Sequence, residues 1–244
     1  MKKVLLAIAL LSANLSFAQI QLPQASGAAE VDQTIGYTKI EVDYARPNLK
    51  NRTAFGGELV PYGQLWRTGA NTNTTIDIST DVTVEGKTLA KGKYAIFTIP
   101  TEKHWEVIFY TKTDNWGTPE KLDEALVALK VKVPVMVSKE KVETFTIGFQ
   151  DAFVNKTKMT LAWDKTLVQV NIEANTFEMA EAEIKKTLNE NASARDFFSA
   201  ATYYYNNNLD MKQALVWINK AIEKDSSVPY YQGYKTKIEK AIKK

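Results

Sequence analysis

In a series of segments between residues 35 and 172 apolar and polar side chains alternate with a period of two, and beyond residue 176 the period lengthens to about 3.6. In the first region Ile40, Val42 and Tyr44 fall on one side of an extended segment, with Glu41 and Asp43 on the other. Ile76 and Ile78 alternate with Asp77 and Ser79, and the series Val127, Leu129, Val131, Val133, Val135, Val137 encloses Lys130 and Lys132. The pattern predicts strands over 35–44, 74–84, 94–99, 105–110, 126–137, 142–149, 158–163 and 167–172. Glu85-Gly86-Lys87 and Lys91-Gly92-Lys93 read as tight turns between them. About eight short strands joined this way predict an antiparallel β-sandwich of jelly-roll or immunoglobulin-like type, with a closed barrel as the alternative.

Glycine and proline mark where this grammar ends. Only Pro229 and Gly233 follow residue 177, and turn-poor sequence at a 3.6 period predicts helices over 177–189, 193–206, 211–224 and 229–243. Ser193 suits an N-cap and Pro229 a first helical turn. Phe198, Ala201, Tyr205, Ala214, Ile218 and Ala221 stand at spacings that resemble one tetratricopeptide repeat. Thr202 takes its small-residue position, and Ser226 stands where proline is usual. One repeat is short of the roughly three units a solenoid needs, so a small bundle docked on the sandwich is the simpler expectation. In repeat geometry Asp196, Ser199, Tyr203 and Asn206 would share one inner face. The expected class is therefore α+β, with a β-sandwich domain over 19–176 and a helical region over 177–244.

Residues 1–18 read as a processing signal rather than fold. Lys2 and Lys3 precede an apolar run from Val4 to Leu15, and Ser16-Phe17-Ala18 is a small-x-small cleavage site. The run is shorter than the roughly 20 apolar residues a spanning helix needs, and no cysteine follows it for lipid attachment. Cleavage after Ala18 places the mature chain in the periplasm or outside a bacterium, with no membrane span. Removing the two lysines lowers the formal charge of +3 to +1, which excludes whole-surface attraction to nucleic acid or anionic lipid.

One segment obeys neither period. Between the first two predicted strands run Tyr44-Ala45-Arg46-Pro47, Arg52-Thr53-Ala54-Phe55-Gly56-Gly57, Leu59-Val60-Pro61-Tyr62-Gly63 and Leu65-Trp66-Arg67-Thr68-Gly69-Ala70-Asn71. Connections beyond about 12–15 residues are usually functional loops or linkers. Six apolar residues here, Trp66 and Phe55 among them, favour an ordered loop wrapped over one end of the sandwich. Of 31 basic residues, 27 are lysine and four arginine, yet no lysine occurs over 51–86 and the loop carries Arg46, Arg52 and Arg67. A guanidinium is a planar, permanently charged fork of five donors suited to bidentate oxyanions. The segment therefore predicts an anion pocket with Arg46, Arg52 and Arg67 as donors, Trp66 and Tyr62 as walls, and Asn71 as a polar selector. Arginines of this kind also brace loops through backbone carbonyls or pair with Glu58, Asp43 or Asp77, and the two roles are compatible.

Catalytic and cofactor chemistry finds little support. There is no cysteine, no Gly-x-Ser-x-Gly elbow, no phosphate-binding glycine loop and no dinucleotide fingerprint. The single histidine, His104, lies in a polar turn, Thr101-Glu102-Lys103-His104-Trp105, and a poly-histidine metal site is impossible within one chain. Glu41/Asp43 and Asp77/Asp81 sit on strand faces expected to be solvated, so no metal and no cofactor is expected. Trp105 and Trp163 read as packing, whereas Trp116-Gly117-Thr118-Pro119 is a turn able to set an exposed indole beside the arginine loop. The readings left open are a binding module for a small anionic molecule or glycan, an envelope protein that engages a protein partner through its helical region, and a hydrolase or isomerase with Glu58 or Asp77 as base.

Tyr44-x-Arg46-Pro47, Arg52-x-x-Phe55-Gly56, Leu59-Val60-Pro61-Tyr62-Gly63 and Trp66-Arg67-Thr68-Gly69-Ala70-Asn71 with Thr74 resemble the signature of domain-of-unknown-function family 2911, which is common in secreted proteins of Bacteroidetes. Gly86-Lys87-x-Leu89-x-x-Gly92-x-Tyr94, Ile99-Pro100 and Trp105 continue the resemblance, which spans about residues 22–173. It implies a β-rich secreted domain, often followed by helices, and brings no activity or catalytic residue with it.

Overall fold

The computed structural model describes residues 22–243. The predicted signal peptide and its cleavage site lie outside the described residues. Nine strands and four helices follow in sequence: β1 (Gly27–Ile35), β2 (Thr38–Arg46), β3 (Thr74–Ile78), β4 (Val82–Val84), β5 (Lys87–Leu89), β6 (Gly92–Pro100), β7 (His104–Tyr110), β8 (Val127–Gln150), β9 (Lys156–Ala174), α1 (Thr176–Thr187), α2 (Ala194–Asn206), α3 (Met211–Lys224) and α4 (Pro229–Ile242). The strands form one antiparallel sheet in the order β1-β2-β3-β6-β7-β8-β9-β4-β5. The order is a meander, interrupted once where the β4–β5 hairpin leaves β3 to pair with β9.

β8 explains how one sheet encloses a core. Its first part pairs with β7, from Val127 opposite Tyr110 to Pro134 opposite His104, and from Val135 onward it pairs with β9. The register slips twice between Val137 and Thr146, and bulges of this kind bend a strand. The sheet thereby doubles back, and one core cluster collects Ile40, Ile76, Ile96 and Val107 from the first half with Phe145, Leu161 and Val170 from the second. Each such side chain contributes roughly 1.5–3 kcal/mol on burial. The chain leaving β2 closes one end: Phe145 donates to the Pro47 carbonyl at 2.9 Å and Leu49 to the Glu143 carbonyl at 3.0 Å.

Most predicted strands are present, with four differences. β1 was not expected from the sequence; it is an edge strand, exposed along most of its length, so no buried face shows in its pattern. The predicted strand over 74–84 divides into β3 and β4, and the expected turn at Lys87 is the start of β5. The four predicted segments between 126 and 172 are the two long strands β8 and β9: Lys139 and Glu140 are carried within β8, and β9 continues past Asp164, which takes a positive φ of 55° where the register slips.

The helices fall where the 3.6 period set them. Ser193 and Asp196 form a reciprocal capping box at α2, Asp210 accepts from the amides of Lys212 and Gln213 at α3, and Pro229 opens α4. Ala201, Ala214, Ile218, Ala221 and Ile238 make a second core among α2, α3 and α4. Helix α1 begins one residue after β9, and its Thr176 hydroxyl donates to the Val154 carbonyl at 3.1 Å. Thr176 also fills the space beside Gly36 in the β1–β2 turn, where a positive φ of 56° and the absence of a Cβ are both needed. Among the described residues no helix is long and apolar enough to cross a membrane.

Candidate functional site

The loop joining β2 to β3 over 47–73 is held by its apolar residues. Phe55 and Trp66 enter the core beside Trp105, Phe145 and Trp163: Phe55 meets Trp105 edge-on at 4.8 Å, and Trp66 stacks on Trp163 at 5.8 Å with planes 15° apart. Trp66 also exchanges both backbone hydrogen bonds with Thr98 of β6 at 2.8 Å, and its indole donates to the Gly69 carbonyl. Thr74 donates to the Thr68 carbonyl at 2.7 Å, and the hydroxyl of Thr68 reaches that of Thr98. The loop is thus built into the sheet rather than laid over it.

The three arginines have separate environments. Arg46 donates from Nε to the Phe145 carbonyl at 3.1 Å and from Nη2 to the Thr146 hydroxyl at 2.7 Å, tying β2 to β8 across the fold. Arg52 is exposed and donates to the carbonyls of Leu49 and Asn48, closing the turn that precedes it. Arg67 differs from both. It is half-buried, its Nε is shielded from solvent without a hydrogen-bond partner, and among the described residues no carboxylate pairs with it. Its Nη1 lies 3.2 Å from where a Cβ on Gly117 would stand, so the glycine leaves room for the guanidinium.

Arg67 lines a cavity of about 280 Å³ whose walls are Leu59, Val60, Trp66 and Trp163, with Gln64 and Thr118 as its polar side chains apart from Arg67. None of its lining residues is acidic. Of the six residues singled out in the sequence, Trp66 and Arg67 share this cavity. Asn71 lines a neighbouring cleft, where its amide donates to the Ser26 carbonyl at 3.1 Å. Arg46, Arg52 and Tyr62 line neither; Tyr62 is exposed with its ring against Gly56.

The neighbouring cleft measures about 650 Å³ and lies between β1, β2 and the chain over 111–118. Trp116 stands on its rim with 73% of its surface exposed. Its backbone is fixed against the arginine loop through a β-bridge to Thr72 and a bond from the Gly117 amide to the Asn71 carbonyl. Asn73 lines the cleft and donates to the Thr113 carbonyl at 3.0 Å, and its Oδ1 has no partner among the described residues. Asn73 and Thr113 escaped the sequence reading. The one signal for Asn73 is the run Asn71-Thr72-Asn73-Thr74-Thr75, which contains no apolar residue; Thr113 carries none.

Other titratable groups are accounted for locally. Glu30, Asp32 and Glu41 bring carboxylate oxygens within 4.8 Å of one another on the surface. Lys39 lies 2.6 Å from Glu41 and 3.8 Å from Asp32, and the hydrogen bond to Glu41 holds its ammonium above the ordinary lysine range. Asp81 accepts from the Lys91 amide. Neither Glu58 nor Asp77 lines the Arg67 cavity. In the helical region Asp196, Ser199 and Tyr203 line a cavity of about 240 Å³ closed by α1 and by Tyr37 of the β1–β2 turn. Burial pushes the Tyr203 phenol above its ordinary value, and its hydroxyl has no partner among the described residues.

No curated protein and no solved structure matches the chain. The model of a family described as protein of unknown function (DUF2911) matches residues 26–172, a span that opens beside β1 and ends within β9, taking in the whole arginine loop and leaving the helices outside. On that match the chain belongs to the DUF2911 family.

Proposed function

We propose that the protein is a secreted or periplasmic binding module that holds a small organic or inorganic oxyanion on Arg67. The observation that carries this reading is the half-buried Arg67, whose shielded Nε has no hydrogen-bond partner and which no carboxylate pairs with among the described residues, in a cavity with no acidic wall. Buried donors are paired in folded proteins, and a charged one left unpaired calls for a ligand or an ion. Trp66 and Trp163 supply apolar walls, while Gln64 and Thr118 offer further polar contacts. A carboxylate, phosphate or sulfate matches the planar donor fork, and a volume of about 280 Å³ sets the ligand at a few non-hydrogen atoms beyond that group. The start of the chain, with its charged, apolar and small-residue segments in order, supports an address outside the cytoplasm.

Arg46 and Arg52 act in this reading as braces that keep the loop in place. The test is a thermal-shift series of the mature protein with sulfate, phosphate, citrate, glucuronate and glucose 6-phosphate, repeated with Arg67→Lys. A bound anion at about 100 times its Kd stabilises by about 2.7 kcal/mol, and lysine keeps the charge while losing the bidentate fork. If none of the five raises Tm, or if Arg67→Lys responds equally, the pocket is not an anion site.

A second reading has one observation in its favour: the inner face of α2 presents Asp196, Ser199 and the unpartnered Tyr203 to a cavity. With α1 and Tyr37 closing it to about 240 Å³, that cavity suits one side chain of a partner rather than a docked helix.

A further inference from the structure

We propose that the cleft under Trp116 is a second, independent site that binds a neutral oligosaccharide. A single exposed tryptophan is ordinary on a protein surface, so the 73% exposure of Trp116 gains meaning only from its setting. Trp116 stands on backbone locked from two sides. It bridges Thr72, and the bonds Gly117 amide to Asn71 carbonyl and Asn73 amide to Asn115 carbonyl flank it. A rigid aromatic face beside a polar cleft is a stacking platform, because the electron-rich π face attracts the polarised C–H face of a pyranose ring.

The cleft supplies the matching hydroxyl chemistry. Thr72, Thr75 and Thr113 carry groups that both donate and accept, and Glu30 and Asp43 are acceptors at the wall. The Oδ1 of Asn73, a residue of the cleft lining that is only 5% exposed, is shielded from solvent and has no partner among the described residues, so a hydroxyl or a water entering beside it would satisfy it. No lysine or arginine lines this cleft; Lys93 lies 3.6 Å from Asp43, so Glu30 is the lining carboxylate without an ion-pair partner among the described residues, and it disfavours anions. Charge therefore separates it from the Arg67 cavity, and a volume of about 650 Å³ takes one or two sugar rings. A flat run of hydroxyls without charge satisfies the walls; an acidic ligand does not.

The test is calorimetric titration, to about 10 mM, with maltohexaose, cellohexaose, chitohexaose and mannohexaose, with trigalacturonate as the acidic contrast. Trp116 is exposed and belongs to none of the core clusters of the described residues, so Trp116→Ala is expected to fold with wild-type Tm, which is measured alongside. The expected result is saturable binding of at least one neutral hexaose, weakened about tenfold or more in Trp116→Ala and unchanged in Arg67→Lys. A shift of indole emission on binding, lost in Trp116→Ala, locates the contact. The proposal is overturned if no neutral hexaose binds, if trigalacturonate binds more tightly than all four, or if binding survives Trp116→Ala. Loss of anion response in Arg67→Lys with sugar binding intact keeps the two sites distinct, and either can fail alone.

Discussion

Replacing Arg67 by methionine separates a ligand-binding arginine from a structural one by the sign of a stability change. Methionine keeps an apolar stem of similar length in the cavity and removes every donor. In the unliganded protein those donors make no internal hydrogen bond and no ion pair among the described residues, so nothing favourable is lost. A buried polar group without a partner costs about 1–3 kcal/mol, and the solvated part of the half-buried guanidinium brings the expected gain to the lower end, about 1 kcal/mol. For a chain of this size that is a rise in Tm of about 2–4 °C. The assay is urea unfolding and calorimetry of wild type and Arg67→Met in chloride-only buffer at low ionic strength, then with the anion that gives the largest shift. Methionine should be the more stable protein without ligand and the less stable with it. A loss of more than about 1 kcal/mol without ligand would refute the reasoning, because Arg67 would then be bracing the loop as Arg46 does.

Arg46→Met is expected to move the other way, since it removes two charge-assisted bonds between β2 and β8; a loss of about 1.5–3 kcal/mol should appear in urea unfolding, with the exposed Arg52→Met well below it. Phe55→Ala empties a site packed edge-on against Trp66, Trp105 and Trp163, and should cost about 3–5 kcal/mol together with much of the near-ultraviolet dichroism; a loss under about 1 kcal/mol would mean the loop is not anchored in the core. At α2, hydrogen bonds from Ser193 hold the Asp196 carboxyl below its ordinary value of 3.8. That depressed value contributes stability that is fully present above about 3.8 and is lost as pH falls through the folded-state value, so the gap between wild type and Ser193→Ala should narrow in acid. A gap that stays constant from pH 7 to about pH 2.5 would count against the capping box.

Where one face of an element is buried, the sequence displayed it. Ile40, Val42 and Tyr44 alternate cleanly because β2 has one side in the core, and α3 runs over the residues its period marked because Ala214, Ile218 and Ala221 face the core it shares with α2 and α4. β1 escaped because Glu30, Asp32 and Gln33 lie on an edge with almost no buried face. The sequence divides β8 and β9 because charged residues interrupt their apolar series, whereas β8 carries its charges through solvent and β9 resumes beyond a local positive φ of 55° at Asp164. The arginine cluster was visible as a lysine-free stretch of a lysine-rich chain, but the separate roles of its members were not. Arg46 and Arg52 end on backbone carbonyls, which every residue carries and which leave no mark in a sequence, apart from the Thr146 hydroxyl. The solitary state of Arg67 is likewise a property of what surrounds it in space.

The passage from β9 to α1 through the single residue Asn175 gives the fold a mechanical character. A load applied at the C-terminal end travels through the helices into Ala174, with no slack chain to take it up. At that point β9 is clamped on the β4 side, where Ala174 faces Val82 and Glu173 faces Thr83, and further back by its long ladder with β8. Tension along β9 loads those hydrogen bonds in shear, many at once, instead of peeling them one by one. The helical region is therefore fitted to serve as a handle: pulled in an optical trap, the protein should hold to high force and give way in one large step, with the helices unravelling separately.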